Sequence, residues 1–532
     1  VGMSNNRMGV ASGIVEGAFG KKLEGLSWRV QGTMRRGGNS KAAHYYLDNT
    51  GLKEENFSGS IGYKKNRFGA EAFFSEFYTK LGIFSGSSVG SISDLIAAIN
   101  RPEPITPSVF SYSIQRPFQE VNHYLLKTKI YYHTSENSKL EFVFARQQNV
   151  RKEYDYLPYT GITTPQLYLN IVSHSADLSW QHMVTKTLSG KIGFNGMAQN
   201  NTRKYEYLIP DYKNYRAGFF IIEKWRRKKL LLEGGARYDY RWMQALLIDN
   251  TSAKIVPQNY TYNNFTGSLG AGYNFTEKIL FNINLGTAWR PPSVNELFSQ
   301  GVHQSAASYE KGTPGLKAEQ SYTLSGTWRY EGKKLFGELN LYDNLINHYI
   351  YLKPDLSFVH TSRGAYPSFT YTAANAIFRG IDMNIRYTIS NPVTFLSKSS
   401  LVWARNLSIH DYLIYTPANR FENGIKYEFK KLSNFEKLYI SVSDIYVARQ
   451  TRVPANSDYA PPPKAYNLVA LEIGFDFPFG KEKMSVNISA NNLFNVSYRD
   501  YLNRFRYFTD DIGRNINVRL KVPFTLLSKN KN

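Results

Sequence analysis

Asn515-Ile516-Asn517-Val518-Arg519-Leu520-Lys521-Val522 alternates polar and apolar residues strictly over eight positions. Successive side chains of a β-strand point to opposite faces, so this run has one apolar and one polar face. The same period governs Phe281-Asn282-Ile283-Asn284-Leu285-Gly286, where the odd positions are apolar and the even ones polar or tiny. Further period-two runs lie at 140–144, 232–240, 322–330, 335–341, 471–477 and 486–488. They read as half-buried antiparallel strands. No amphipathic helix of several turns is evident, and 93–98 reads as one helical turn inside a loop.

The connections between these strands alternate in length. Strands near 9–20 and 26–36 are joined by Gly20-Lys21-Lys22-Leu23-Glu24-Gly25, and a long polar segment, 37–56, follows. Strands near 57–64 and 67–78 meet at Lys64-Lys65-Asn66-Arg67, and the next connection, 79–119, is very long. Farther on, tight turns fall at 134–139, 186–190, 226–229, 276–278, 331–334, 390–392, 430–434 and 480–483. Long segments fall near 150–172, 201–214, 242–262, 291–318, 346–376, 406–420, 447–465 and 495–512. Short turns at one end and long loops at the other are the signature of an outer-membrane barrel. A soluble propeller would show a repeat of about 40–50 residues, and none is present. The apolar face is also rich in Tyr, Phe and Trp near strand ends, as interfacial girdles require.

The predicted fold is therefore all-β, a transmembrane antiparallel β-barrel. Twenty-one strands are legible, and the first of them, near 9–20, ends in a tight turn and so runs toward the short-turn end. One strand of opposite sense should precede it, with Val1-Gly2-Met3 as its end and 4–7 as its loop, giving 22 strands. Residues 1–532 are thus expected to be barrel throughout, strands 2–22 complete and most of strand 1 lying before residue 1. A lumen of this width cannot be filled by side chains. Everything from residue 9 onward is used by strands and loops, so a plug is expected N-terminal to residue 1 or, failing that, from another chain.

Composition narrows the chemistry. The 532 residues contain no cysteine, which excludes disulfides, thiolate metal sites and thiol catalysis. Lys and Arg exceed Asp and Glu by 65 to 42, a formal charge of +23. Such an excess suits lipid head groups, lipopolysaccharide or an acidic ligand. Without zinc-finger spacing or a recognition helix, nucleic acid is not an expected partner. Lys224-Trp225-Arg226-Arg227-Lys228-Lys229 falls at a tight turn and reads as a head-group contact. Val1-Gly2-Met3-Ser4 has neither the charged nor the apolar region of a signal peptide.

One block is more specific. Ala288-Trp289-Arg290-Pro291-Pro292-Ser293-Val294-Asn295-Glu296-Leu297-Phe298 is followed by Gly301-Val302-His303, then by Tyr309-Glu310-Lys311-Gly312-Thr313-Pro314-Gly315-Leu316-Lys317-Ala318-Glu319. This block resembles the TonB-dependent outer-membrane receptor family. There an aromatic-Arg-x-Pro-Ser-x-x-Glu-Leu run ends an outward strand and a Tyr-Glu-x-Gly-Asn-Pro-x-Leu-like segment follows in the loop. Thr313 stands where Asn is usual, and Ala318 where Pro is usual. Asn375-Ala376 with Gly380-Ile381-Asp382, Asn491-Asn492-Leu493-Phe494-Asn495 with Tyr498 and Tyr501, and Gly513-Arg514-Asn515-Ile516 also match. Arg290, Pro291, Glu296, Leu297, Glu310, Pro314, Leu316 and Glu319 are the positions that carry the resemblance. Phe524 is expected to be the aromatic that ends the last strand, with a periplasmic tail after it.

The resemblance implies a receptor of a Gram-negative outer membrane that takes up a scarce ligand, energised by a TonB complex through a segment before residue 1. An iron–siderophore complex is the first expectation, with haem, cobalamin or a metal ion next. A second expectation is a receptor-like barrel serving as a structural subunit of a larger outer-membrane assembly. A passive porin fits less well, having 16–18 strands. No nucleophile–base constellation stands out, so no enzyme is expected, nor any cofactor or resident metal. Two stretches dense in Tyr and charge offer ligand-binding residues: Arg151, Tyr154 and Tyr156, and Arg203, Tyr205 and Tyr207. Stacking and charge-assisted hydrogen bonds from such groups suit an anionic, aromatic ferric catecholate. They also fit plain strand extensions above the girdle. Tyr309 joins the candidates from the family block. In haem-importing relatives a histidine placed like His303 ligates iron, and an imidazole is a sound axial ligand. The plainer reading of His303 is packing within the loop.

Overall fold

The computed structural model of the protein describes residues 2–4, 7–20, 23–105, 108–155, 163–249, 251–430 and 432–525. Among them, twenty-five strands form one sheet. Twenty-two are staves, each antiparallel to its neighbours. The sheet closes on itself, because Gly2–Ser4 pairs with Gly9–Ala18 on one side (Gly2↔Val10) and with Asn515–Lys521 on the other (Gly2↔Arg519). A closed barrel leaves no unpaired edge, as a bilayer demands. The other three strands, Gln300–His303, Ser308–Lys311 and Asp411–Tyr412, are short and lie in loops, which is why the sheet exceeds the expected 22.

The alternation seen in the sequence becomes two faces. Leu178 pairs with Phe194 and Phe194 with Phe219, so the three share one face across neighbouring staves. On that same kind of face Phe265 and Leu269 are about two-thirds exposed. Large apolar groups stand open there because lipid, not water, covers them. Near the short turns the outer face turns aromatic: Trp328 stacks on Phe275 at 5.6 Å, and Trp180 donates to Ser138 Oγ at 2.7 Å. Among the described residues no helix is long and apolar enough to cross a membrane.

The long-loop end departs from the sequence reading in three places. The segment 346–376, expected as a loop, continues the hairpin of Leu335–Thr361 and Gly364–Ser390, two strands of 27 residues each. Register shifts between Ile346 and Tyr349 and between Pro354 and Phe358 break the two-residue period. Beyond the bilayer neither face sees lipid, so composition stops marking strands. Most of 242–262 is likewise strand, in Leu230–Ile248 and Ile255–Asn274. The single turn expected at 93–98 is an eight-residue helix, Ile92–Ile99, capped by Ser91 Oγ accepting from the Asp94 N–H at 3.1 Å. Phe524 lies three residues past the last strand, Asn515–Lys521, rather than ending it.

The main apolar core sits outside the barrel wall, over its mouth. Ala42, Leu47, Phe84, Leu95, Ile99, Ala307, Leu352, Ala365, Phe369, Tyr507 and Phe508 pack together. They come from connections all around the ring, so the long loops collapse toward one another and roof the lumen. Polar clasps tie the roof: Ala365 N–H donates to Val89 O at 2.7 Å, Gly513 N–H to Lys41 O at 2.9 Å, and Asn495 Nδ2 to Ala43 O at 2.7 Å.

Candidate functional site at the mouth

The family block builds a brace between wall and roof. Arg290 ends the strand Ile279–Arg290 and grips Glu319, its cross-strand partner, with Nε and Nη2, both at 2.8 Å. Its Nη1 reaches Glu296 Oε2, also at 2.8 Å. Glu296 caps the short helix Val294–Phe298 from within, accepting from the Ser293 N–H and Ser293 Oγ, each at 2.7 Å. Arg241 Nη1 holds the turn by donating to Pro292 O at 3.2 Å and Pro291 O at 3.4 Å. Leu297 and Leu316 are buried with Val294, Phe298, Met243 and Ile350. Thr313 N–H donates to Glu296 O at 2.8 Å, and Tyr260 OH reaches Pro314 O at 3.4 Å. A Cβ on Gly312 would overlap the backbone nitrogen of Phe298, so only glycine lets the return segment pass.

A second cluster locks the middle of that loop. His303 Nδ1 lies 2.9 Å from Glu310 Oε1, and its Nε2 lies 3.0 Å from Arg151 Nη2. Arginine can only donate, so Nε2 accepts and the proton sits on Nδ1. Arg151 also pairs with buried Glu153 and donates to Ser305 Oγ at 2.9 Å. Next to it Asp155 pairs with Arg363, both buried, and Tyr366 OH donates to Gln304 Oε1 at 2.8 Å. Sequence reading missed Glu153, Asp155, Arg363 and Gln304, because no local pattern links Asp155 to a residue 208 positions away.

The Glu310 carboxyl is held below the usual carboxylate range. Burial, the largest single influence, opposes this, but the His303 hydrogen bond, the Arg504 charge and the Tyr371 hydroxyl outweigh it. A carboxyl whose folded pKa is lowered stabilises the fold above its unfolded pKa, about 4.3, and that contribution fades as pH falls through the folded value. The segment 300–311 is therefore expected to resist an added acid-active protease at pH 5 and to become cleavable near pH 3. Equal cleavage rates at the two pH values, after correction for protease activity, would refute this anchoring.

The family model for "TonB dependent receptor-like, beta-barrel" matches residues 26–493. The chain belongs to the TonB-dependent receptor family. As a TonB-dependent receptor barrel it is a Gram-negative outer-membrane structure, of a family of transporters rather than enzymes. The TonB-dependent heme receptor A of Haemophilus influenzae is 21% identical over 355 residues, 60% of this chain and 46% of that protein, so the chain spans about half of that relative. Among solved structures, the copper transporter OprC superposes with a TM-score of 0.77 at 14% identity, covering 98% of this chain and 78% of the other. The FrpB iron transporter of Neisseria meningitidis gives 0.71 at 14% identity, over 97% and 79%. The ferric yersiniabactin uptake receptor FyuA of Yersinia pestis gives 0.67 at 13%, over 98% and 79%.

In this receptor barrel the candidate ligand residues divide. Arg151 and Tyr154 end the strand Ser138–Tyr154, and Arg203 and Tyr205 end Leu188–Tyr205, so these are strand ends rather than loops. Arg151, Leu169 and Arg203 share one cross-strand row and hence one face, the one that meets the roof. Tyr154 lies on the opposite face, stacked on Phe118 at 4.2 Å, and is not brought to the mouth. Arg203 covers the Tyr207 ring at 4.9 Å, and Tyr205 is exposed. Tyr309 is half-buried in Ser308–Lys311, opposite Val302. Tyr156 lies outside the described residues. No group of three His, Asp or Glu side chains that could hold a metal ion occurs among the described residues.

Proposed function

We propose that this barrel belongs to an importer that takes a scarce metal chelate, first of all an iron–siderophore complex, across the outer membrane with energy from TonB. The observation that carries the reading is a family barrel whose mouth is roofed by its own loops: a roofed pore admits nothing passively, so uptake needs a gate and an energy source. Haem, cobalamin and a free metal ion come next as cargo. The structural relatives carry copper, iron and ferric yersiniabactin by name. Arg203 over Tyr207 supplies the cation and ring that an anionic aromatic chelate uses. A TonB complex and the lipopolysaccharide of the outer leaflet are the partners this reading requires. No specific observation favours the role of a structural subunit in a larger assembly.

Deleting the gene and measuring uptake of a radiolabelled ferric catecholate, of haem and of cobalamin tests the reading. Loss of the first is expected, and unchanged uptake of all three would overturn it. His303→Ala separates the cargoes. Both imidazole nitrogens are engaged within the loop, so the variant is expected to expose 300–311 to protease and lower uptake several-fold. If haem were ligated there, the variant would instead lose the Soret shift of bound haem and keep its protease resistance.

A further inference from the structure

We infer that the outer wall between strands Ile279–Arg290 and Val393–Asn406 carries a specific site for lipid A of lipopolysaccharide, with a phosphate on Arg379 and Arg405 and an acyl chain in the trough beside them. The inference rests on the outer-membrane placement of this barrel.

The trough is a groove of about 680 Å³. Ile283, Gly326, Leu341 and Ile381 pair in one row across four staves. The next row toward the mouth runs Leu285, Leu324, Asp343, Arg379, Trp403. Leu285 also pairs with lipid-facing Leu269, so both rows belong to the outer wall. Gly326 has no side chain between Ile283 and Leu341, and that gap forms the floor.

Charge marks one end. Arg379 Nε pairs with Asp343 Oδ2 at 2.7 Å, with side chains 66% and 44% exposed. Arg405 lies one stave over, its guanidinium 5.4 Å from the Tyr412 ring, and it has no carboxylate partner among the described residues. Two guanidinium groups thus line one end of the trough, and the single carboxylate lining it, Asp343, pairs with Arg379 alone. A charge facing hydrocarbon is expensive, but at the interface it meets head groups. Arg405 is the penultimate residue of its strand at the long-loop end, so the pair faces the outer leaflet. The planar fork of arginine matches phosphate oxygens in pairs, and Trp403 beside them suits the interfacial belt.

The test uses the purified full-length receptor in nanodiscs, with hexa-acylated bisphosphorylated lipid A, its dephosphorylated form and phosphatidylglycerol as probes, and native mass spectrometry as the readout. Wild type is expected to retain lipid A at least tenfold better than either other lipid. Arg379→Gln with Arg405→Gln is expected to abolish that preference. Gly326→Leu, which fills the trough without touching the cations, is expected to weaken retention several-fold. Unchanged heat-modifiable migration on gels confirms that each variant is folded. Equal retention of all three lipids by wild type, or full retention of lipid A by the double variant, overturns the site and leaves the importer reading intact. Recovery of the receptor outside the outer membrane would remove both.

Discussion

Arg290→Ala is expected to detach the loop 291–318 from the barrel wall and to abolish uptake. Glu296 and Glu319 are nearly buried, and Arg290 is the cation that faces both. Removing one partner of a buried pair costs about 3–5 kcal/mol, because the other charge stays desolvated. Here the half-exposed arginine places the loss toward the lower end of that range. Two carboxylates facing each other without their cation will part, and the helix Val294–Phe298 loses the cap that depends on Glu296. Arg290→Lys restores charge without the bidentate fork and should recover only part of the loss. Adding Glu296→Gln and Glu319→Gln to Arg290→Ala should recover stability by removing the stranded charges. Protease cleavage within 299–312 and the thermal unfolding of the barrel give the readings. If Arg290→Ala is cleaved and unfolds like wild type, the brace is not what holds the loop.

The staves were legible wherever lipid met one face and the lumen the other, as in 281–286 and 515–522, because that contrast imposes the two-residue period. Where Leu335–Thr361 and Gly364–Ser390 leave the bilayer the contrast disappears, and the same backbone pairing continues through residues that look like loop. The family block was visible as a motif, but its physical role was not. Arg290, Glu296 and Glu319 serve as a brace, and Gly312 is fixed by the close approach of the Phe298 backbone, which no local pattern marks. His303 stood out as a possible ligand, whereas the partners that occupy both its nitrogens sit 152 residues away in Arg151 and seven away in Glu310. The roof was the least legible part. Its core joins Ala42 to Tyr507 and Leu95 to Phe369, and no local pattern encodes such pairings.

That roof leads to the second large effect. Val89 and Ala365 form an isolated antiparallel bridge between the loop that carries the helix Ile92–Ile99 and the tip of the long hairpin. Opposed residues in such a pair lie about 4.5–5.5 Å apart at Cα, inside the roughly 4.4–6.8 Å that a disulfide spans. The chain has no cysteine of its own, so Val89→Cys with Ala365→Cys creates one possible bridge. Oxidised, the variant is expected to lose at least tenfold in uptake of a ferric siderophore while its barrel unfolds no earlier than wild type. Reduction should restore uptake on the same cells, which separates a locked gate from a misfolded one. The segment 83–105 reaches across the mouth to 304, 360, 365 and 499, through Ser88, Gly90, Val89 and Pro102 respectively. On the importer reading a chelate would have to part those contacts to enter the lumen, and a covalent clasp at their centre would forbid it. Full uptake by the oxidised form would mean that cargo passes elsewhere and that the roof is a fixed part of the wall.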